Sequence, residues 1–443
     1  MKIGSNLAEG SIWKKFSLFV IPVILTGFLQ QLYNTADTIV VGQFAGDTAL
    51  AAVGATTVLI NLIVTLFIGL SVGTNVVCAR FFGAENNIGI ERTLYTSVVL
   101  GVVLGIPLTL VGWLGAEYFL GLMDTPNDII KLAALYMKLY FLGVPATLIY
   151  NFGSAVLRAM GDTKRPLCIL TASGIVNVIL NLICVIVFRL GVVGVAIGTI
   201  VSQFLSAIAV MMIFVKENSV PHFKLSNIRV YKKELLMILG IGVPSGLNSI
   251  LFAVSNALTQ SAINSFGKLA VAAHSIGWTF MIFCHLLIAS SEQGVISFVG
   301  QNLGAEKYDR VKKAVNVGLM FAAITVLAFT AMLMVCAKWI IGIFTNDQEV
   351  VKIALVQFYN ALSVYVLYVP SIVYGAALRG MGKAILPTVI NIVGICVLRV
   401  VWVTVIWPLN PTLEMVYYSF PLSWVASGVA MATAFYITRK KEL

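Results

Sequence analysis

The sequence predicts an all-α integral membrane protein: twelve transmembrane helices in two parallel six-helix repeats, forming N- and C-lobes around a central cleft. Three observations predict it. Hydrophobic residues make up 59% of the 443-residue chain and charged residues 11%, against about 25% charged in soluble domains. Apolar runs of about twenty residues, each long enough to cross a ~30 Å hydrocarbon core as a helix, recur to the end of the chain. The second half, shifted back by 221 residues, also falls on the first. Gly46-Asp-Thr-Ala-Leu-Ala-Ala52 meets Gly267-Lys-Leu-Ala-Val-Ala-Ala273, and Gly83-Ala84-Glu85 meets Gly304-Ala305-Glu306. Leu157-Arg-Ala-Met-Gly161 meets Leu378-Arg-Gly-Met-Gly382, and Pro166 meets Pro387. Six spans per half is an even number, so both halves enter the membrane in the same orientation. A parallel repeat of this kind is a transporter architecture.

The spans of the first half are expected over 16–41, 50–76, 93–113, 130–153, 166–187 and 191–215. Those of the second are expected over 236–262, 270–294, 314–344, 352–376, 384–408 and 415–437. The run 314–344 is too long for one crossing and must contain a short loop or overhang. The first span holds Pro22 and Asn34, is too long for a cleaved signal peptide, and is expected to remain. The domain reading is an N-lobe over 1–215, a polar, basic cytoplasmic linker over 216–235 containing Pro221, and a C-lobe over 236–443.

The net charge of +11 invites a nucleic-acid reading, but its distribution opposes one. Twenty-two of the 29 basic residues, from Lys2, Lys14 and Lys15 to Arg439, Lys440 and Lys441, fall in segments that share one side of the membrane. Between Arg92 and Lys131, on the other side, there are only the acidic Glu117, Asp124 and Asp128. This positive-inside asymmetry assigns both termini to the cytoplasm of a multi-pass plasma-membrane protein. Contact with anionic lipid headgroups follows as a by-product. The six cysteines lack metal-ligand or paired spacing and read as buried small hydrophobes.

No nucleotide motif is present. Gly380-Met-Gly382-Lys383-Ala384 lacks the upstream glycine, the preceding strand and the hydroxyl of a phosphate-binding loop. No nucleophile, metal or acid–base constellation supports an enzyme, and no cofactor is expected. Transport would then draw on an ion gradient, which needs an ionisable group inside the membrane. Of 18 acidic residues, only Asp37 lies clearly within a span; Glu292 is far enough along its helix to return to the inner interface. A carboxylate at membrane depth is costly and usually faces a cavity or relay.

Helix rise brings partners to Asp37. It lies ~8 Å below the outer end of the first span; Asn181 and, one turn deeper, Asn177 in the fifth span reach comparable depth, as does Thr199 in the sixth. Hard oxygen ligands around one carboxylate suit sodium or a proton-carrying carboxyl. Interhelical hydrogen bonding is the plainer alternative for the same side chains.

These residues resemble the multidrug and toxic compound extrusion (MATE) transporters. The resemblance rests on the two six-span lobes, Pro22 and Asp37 in the first span, the Gly-Ala-Glu loops, the Leu-Arg-x-Met-Gly motifs and the Asn177/Asn181 pair, and it covers essentially the whole chain. It implies an antiporter that expels amphipathic, often cationic, compounds in exchange for protons or sodium; separately, a monomer with no nucleic-acid partner is expected. It also implies an N-lobe ion site at Asp37, Asn177, Asn181 and Thr199, with the backbone carbonyl of Val195 as a further ligand. Two departures stand out. Some members carry Asp where this chain has Asn181, and the seventh and tenth spans here lack the acidic residues of other members. The coupling site is therefore placed in the N-lobe alone.

Several residues keep two readings. Pro22 is either a hinge or a plain kink. Gln30, Tyr33, Asn34, Asn151 and Gln203 either line the cleft or bind helices together. Lys138 is expected to snorkel to the outer interface, whereas Arg399, deep in the eleventh span, either pairs with carbonyls or faces the cleft. His274 and His285 read as polar packing. Two other classes compete on architecture. A flippase of lipid-linked sugars would carry extra spans and a strongly basic cleft. A major-facilitator carrier would show Gly-x-x-x-Asp-Arg where this chain has Ala79-Arg-Phe-Phe-Gly-Ala-Glu85.

Overall fold

The computed structural model describes residues 5–216, 223–224 and 228–442. Lys2 and much of the linker expected over 216–235 therefore lie outside the described residues. Helices are the only regular structure among those described. The spans are α1 (Ile12–Phe44), α2 (Asp47–Gly83), α3 (Asn87–Leu122), α4 (Ile130–Leu142 with Val144–Ala159), α5 (Lys164–Val187) and α6 (Gly191–Lys216). Their counterparts are α7 (Lys232–Asn264), α8 (Lys268–Gly304), α9 (Tyr308–Val335), α10 (Gln348–Leu362 with Tyr365–Gly380), α11 (Ile385–Leu409) and α12 (Leu413–Glu442). Ten are unbroken apolar helices of spanning length, and the two bent pairs, α4 and α10, bring the number to twelve.

Most helices run past the expected spans, because polar turns beyond the hydrocarbon still satisfy their backbone in helix. The overhang expected in 314–344 is a break at Cys336, after which a short helix, Ala337–Phe344, follows α9. The bends fall in matching places. α4 bends by 44° at Gly143, just before Pro145, and α10 by 40° ahead of Pro370. Proline supplies no N–H and clashes with the preceding turn, so a helix breaks on its N-terminal side. π-helical turns also occur in both repeats, at Ile183–Val187 in α5 and at Ile392–Val397 and Trp402–Ile406 in α11.

The motif loops explain why the repeat is so visible in the sequence. Glu85 and Glu306 both sit in the left-handed region, at φ 55° and 57°, closing α2 and α8 alike. Gly161 and Gly382 do so at φ 83° and 78° after α4 and α10. These positions demand a particular backbone, so the residue types that supply it persist in both halves. The cysteine expectation needs correction: Cys78, Cys184 and Cys284 are buried, but Cys168 is exposed and Cys336 and Cys396 are half-buried. A thiol is small and weakly polar enough to sit on an apolar helix face without being enclosed.

The molecule forms two compact units, and the sequence boundaries do not separate them. The N-lobe contains Leu25–Gly242; the C-lobe contains Leu7–Ile24 together with Val243–Leu443. The beginning of α1 thus packs with the second repeat, and the beginning of α7 with the first. Two register-equivalent glycines accommodate the exchange. In the N-lobe, a Cβ on Gly73 of α2 would lie 2.2 Å from the Ile238 carbonyl oxygen of α7. In the C-lobe, a Cβ on Gly294 of α8 would lie 2.8 Å from Val20 and 3.0 Å from Phe16 of α1. Phe16 is fully buried there, tilted against Phe298 and edge-on to Phe321, with ring centroids at 5.4 and 5.6 Å.

Candidate functional site

Within the N-lobe, α1, α5 and α6 bring Asp37, Asn177, Asn181 and Thr199 together. Asn181 is fully buried and donates from Nδ2 to Asp37 Oδ1 at 2.5 Å. With its amide oriented to suit both neighbours, Asn177 donates to the same carboxylate oxygen at 2.9 Å and accepts from the Thr199 backbone N–H at 3.3 Å. The Thr199 hydroxyl donates to the Val195 carbonyl at 3.0 Å. Each hydrogen bond to an ionised carboxylate contributes about 1.5–3 kcal/mol, which offsets part of the cost of holding the charge away from water.

The surroundings fix this geometry. Val40 and Val41 of α1 pack with Val185, Val192, Val195, Ala196 and Tyr136 in one buried cluster. Gly198 stands against Asn181, whose Oδ1 lies 2.0 Å from where a Cβ would be, so only glycine leaves room for that amide. Asn181 Oδ1 is itself buried without a hydrogen-bond partner. A carboxylate and an unused carbonyl oxygen on adjoining helices form an acceptor set suited to a small hard cation or a proton.

Three contributors escaped the sequence reading. Tyr136 and Tyr140 of α4 pack in the cluster formed around Val40 and Val41 of α1, and Gly198 shapes the Asn181 seat. Its place next to Thr199 was the available signal for Gly198; the tyrosines gave none, since α4 was not brought into the depth argument.

The remaining predicted residues disperse. Tyr33 donates to the Thr171 carbonyl at 3.2 Å and lies flat against Gly174, joining α1 to α5. Asn151 donates to Thr147 of its own helix at 2.9 Å, and the Gln203 amide oxygen is wedged against Gly143. Gln30 and Asn34 are exposed. Pro22 sits inside an uninterrupted α1, two residues before the point where that helix passes from one unit to the other. Lys138 pairs with Glu117 at 2.8 Å. His274 is held by Tyr417 at 3.2 Å, and Tyr417 by Gln357 at 3.3 Å, which is polar packing as expected.

The C-lobe charges are organised differently. Glu292 of α8 pairs with Arg379, in the last turn of α10, at 2.5 Å, and the Arg379 side chain is 5% exposed. Arg399 is 1% exposed. Its hydrogen-bond partners among the described residues are side chains and not backbone carbonyls: Nη1 donates to Asn256 Oδ1 at 2.9 Å and Nε to Ser423 Oγ at 3.0 Å.

A membrane protein of two homologous six-helix lobes with a carboxylate site in one of them defines a transporter. The chain belongs to the MatE family, whose model matches residues 22–183 and 244–405. It is 27% identical over 396 residues to the "Probable multidrug resistance protein YoeA" of Bacillus subtilis, covering 88% of this chain and 85% of the relative. It is 24% identical over 351 residues to the "Multidrug export protein MepA" of Staphylococcus saprophyticus, covering 78% and 76%. The fold matches a crystal structure of MATE in the straight conformation at a TM-score of 0.92 and 23% identity, over 99% of this chain and 98% of that one. The protein is thus a multi-pass membrane member of the MATE multidrug efflux transporter family, which sets aside the major-facilitator alternative.

Proposed function

We propose that this protein exports amphipathic, cationic compounds across the cell membrane by antiport, alternating access between its lobes and admitting one proton or one sodium ion at the N-lobe site. The observation that carries this reading is Asp37, held by Asn181 and Asn177 within α1, α5 and α6 beside an unused amide oxygen. One carboxylate is neutralised once, by either cation, so proton and sodium compete. Protonation needs no ligand shell. Sodium needs the neutral oxygens of Asn177, Asn181, Thr199 and the Val195 carbonyl, drawn in as the helices close. Pro22 would serve as a pliable point in α1, because proline removes one helical hydrogen bond. The names of the relatives support drug efflux, and the acidic site supports cation exchange over anion exchange.

Purified protein in vesicles, loaded with a cationic dye and given pH and sodium gradients separately, tests the reading. Either gradient should drive dye movement against its own gradient. Movement indifferent to both would overturn it. Orientation is checked by cysteine labelling on a cysteine-free background: positions 158 and 379 should react from the cytoplasmic side only.

A further inference from the structure

We propose that the C-lobe contains a second binding site, selective for a single monovalent anion, centred on Arg399. The site is a partly open cavity of about 90 Å³ whose lining includes Arg399, Asn256, Trp278, His285, Phe420 and Trp424. Three nitrogens of these lining residues are buried with no hydrogen-bond partner: Arg399 Nη2, Trp424 Nε1 and His285 Nδ1. Arg399 and Trp424 are each 1% exposed. Guanidinium and indole N–H groups can only donate, so together they call for an acceptor.

Charge decides which acceptor. No described carboxylate pairs with Arg399; its other contacts are the neutral Asn256 and Ser423 and the faces of two rings. Its guanidinium carbon lies 4.4 Å from the Phe420 centroid and 5.7 Å from that of Phe252. Ring faces stabilise a cation only partially, and an unpaired buried charge remains costly. The one acidic side chain on the neighbouring α8, Glu292, is occupied by Arg379. The nearby tyrosines, Tyr365 and Tyr368, are neutral and packed edge to face. A bound anion completes both the hydrogen bonding and the charge.

Size and walls define its class. The cavity has room for a few waters, each needing at least about 10–15 Å³, and so for a halide or the carboxylate end of an organic acid. A whole drug-sized molecule needs roughly 300–1,000 Å³. One positive charge balances one negative charge, so a divalent anion would leave excess charge in an aromatic cavity. Aromatic walls also offer little hydration, which favours weakly hydrated anions in the order iodide, bromide, chloride.

Trp278 and Trp424 make the site visible. The purified full-length protein in detergent, kept at constant ionic strength with sodium sulfate, is titrated with sodium bromide and separately with sodium propionate while tryptophan emission is recorded. Bromide should give a saturable change, and Arg399→Gln should weaken it about tenfold or more, the scale of one charge-assisted hydrogen bond. Arg399→Lys, which keeps the charge without the planar fork, should weaken it less. Asp37→Asn should leave it unchanged, so failure of the coupling assignment and failure of this one are distinguishable. Saturation by bromide alone identifies a halide site, and saturation by both salts identifies the carboxylate end of an organic acid as a second occupant; each supports the proposal. If Arg399→Gln does not fold, Ser423→Ala should show the same direction of weakening with the charge intact. A response that never saturates, that is identical in wild type and the Arg399 variants, or that sulfate competes away would overturn the proposal and leave a cavity that holds water.

Discussion

In the N-lobe, α1, α5 and α6 surround a carboxylate; in the C-lobe their counterparts α7, α11 and α12 surround a guanidinium. The register makes the substitution explicit. Thr199 corresponds to Phe420, Asn181 to Trp402 and Asn177 to Leu398, while Ser202 and Ser423 keep the same side chain. Around Asp37 the neighbours are amides and a hydroxyl; around Arg399 they are rings, one amide and one hydroxyl. The backbone shows the opposite behaviour. Glu85 and Glu306, and Gly161 and Gly382, hold nearly the same dihedral angles across the repeat. Positions at sharp turns restrict residue type in both lobes, whereas interior side chains diverge between them. A single duplicated scaffold therefore carries ionisable side chains of opposite charge within its two lobes.

Asp37→Asn gives the largest expected effect on this comparison. It removes the N-lobe charge and leaves the C-lobe untouched, and gradient-driven dye efflux in vesicles should fall to the protein-free background. Folding should hold, since removing a charge from a membrane helix eases insertion. Efflux at the wild-type rate would mean that the charge difference between the lobes has no part in coupling.

The second test copies an N-lobe residue into the C-lobe. Arg158 and Arg379 are register equivalents, but Glu292 faces Arg379 where the N-lobe has Ser71. Glu292→Ser makes the two lobes alike there and leaves Arg379 buried without its carboxylate, which should cost about 3–5 kcal/mol. Thermal unfolding in detergent, compared with the Glu292→Ser/Arg379→Met double variant, measures it. The double variant should recover most of the loss. A cost under about 1 kcal/mol would show that Arg379 is as well served as Arg158 without an acidic partner, which no described ion pair provides for Arg158.

A third substitution sharpens the N-lobe reading. Asn181→Ala deletes one donor to Asp37 and the unused oxygen beside it. Sodium-stimulated efflux at fixed pH should drop about tenfold, the scale of one hydrogen bond to a charged group. Efflux driven by pH at fixed sodium should drop less, because a protonated carboxyl needs no shell of oxygens. Equal losses would make Asn181 a brace for Asp37 and not an ion ligand.

Much of this was legible in the sequence. The twelve spans, the repeat and the meeting of Asp37, Asn177, Asn181 and Thr199 follow from hydropathy, a constant offset and helix rise. Each of these is a one-dimensional quantity. What escaped depends on rotation and tilt. Arg399 showed its depth but not its partners, because whether it meets carbonyls or Asn256 and Ser423 is set by how α7 and α12 turn towards α11. Tyr136 and Tyr140 come to the site by the way α4 is turned towards α1, which hydropathy does not encode. The passage of α1 and α7 between units leaves both helices unbroken, and its local mark is a proline beside each crossing, Pro22 in α1 and Pro244 in α7.

That passage yields the smallest and most discriminating test. Gly73 and Gly294 hold the same register, yet the neighbours a methyl group would meet differ in kind. At Gly73 they are backbone, the Ile238 carbonyl oxygen at 2.2 Å and the Gly242 nitrogen at 2.9 Å. At Gly294 they are side chains, Val20 at 2.8 Å and Phe16 at 3.0 Å. A backbone held by helical hydrogen bonds cannot step aside unless the whole of α7 shifts, while a valine and a phenylalanine can turn about χ1 and χ2. Gly73→Ala should therefore cost about 2–3 kcal/mol and Gly294→Ala about 1 kcal/mol, within the range of overpacked interiors. Alanine's better helix propensity returns less than about 1 kcal/mol at each position and cannot reverse the order. Melting of the two variants side by side checks the ranking. Equal costs would mean that Phe16, fully buried among Phe298 and Phe321, is as immovable as backbone, and that the beginning of α1 is clamped in the C-lobe as tightly as the beginning of α7 is in the N-lobe.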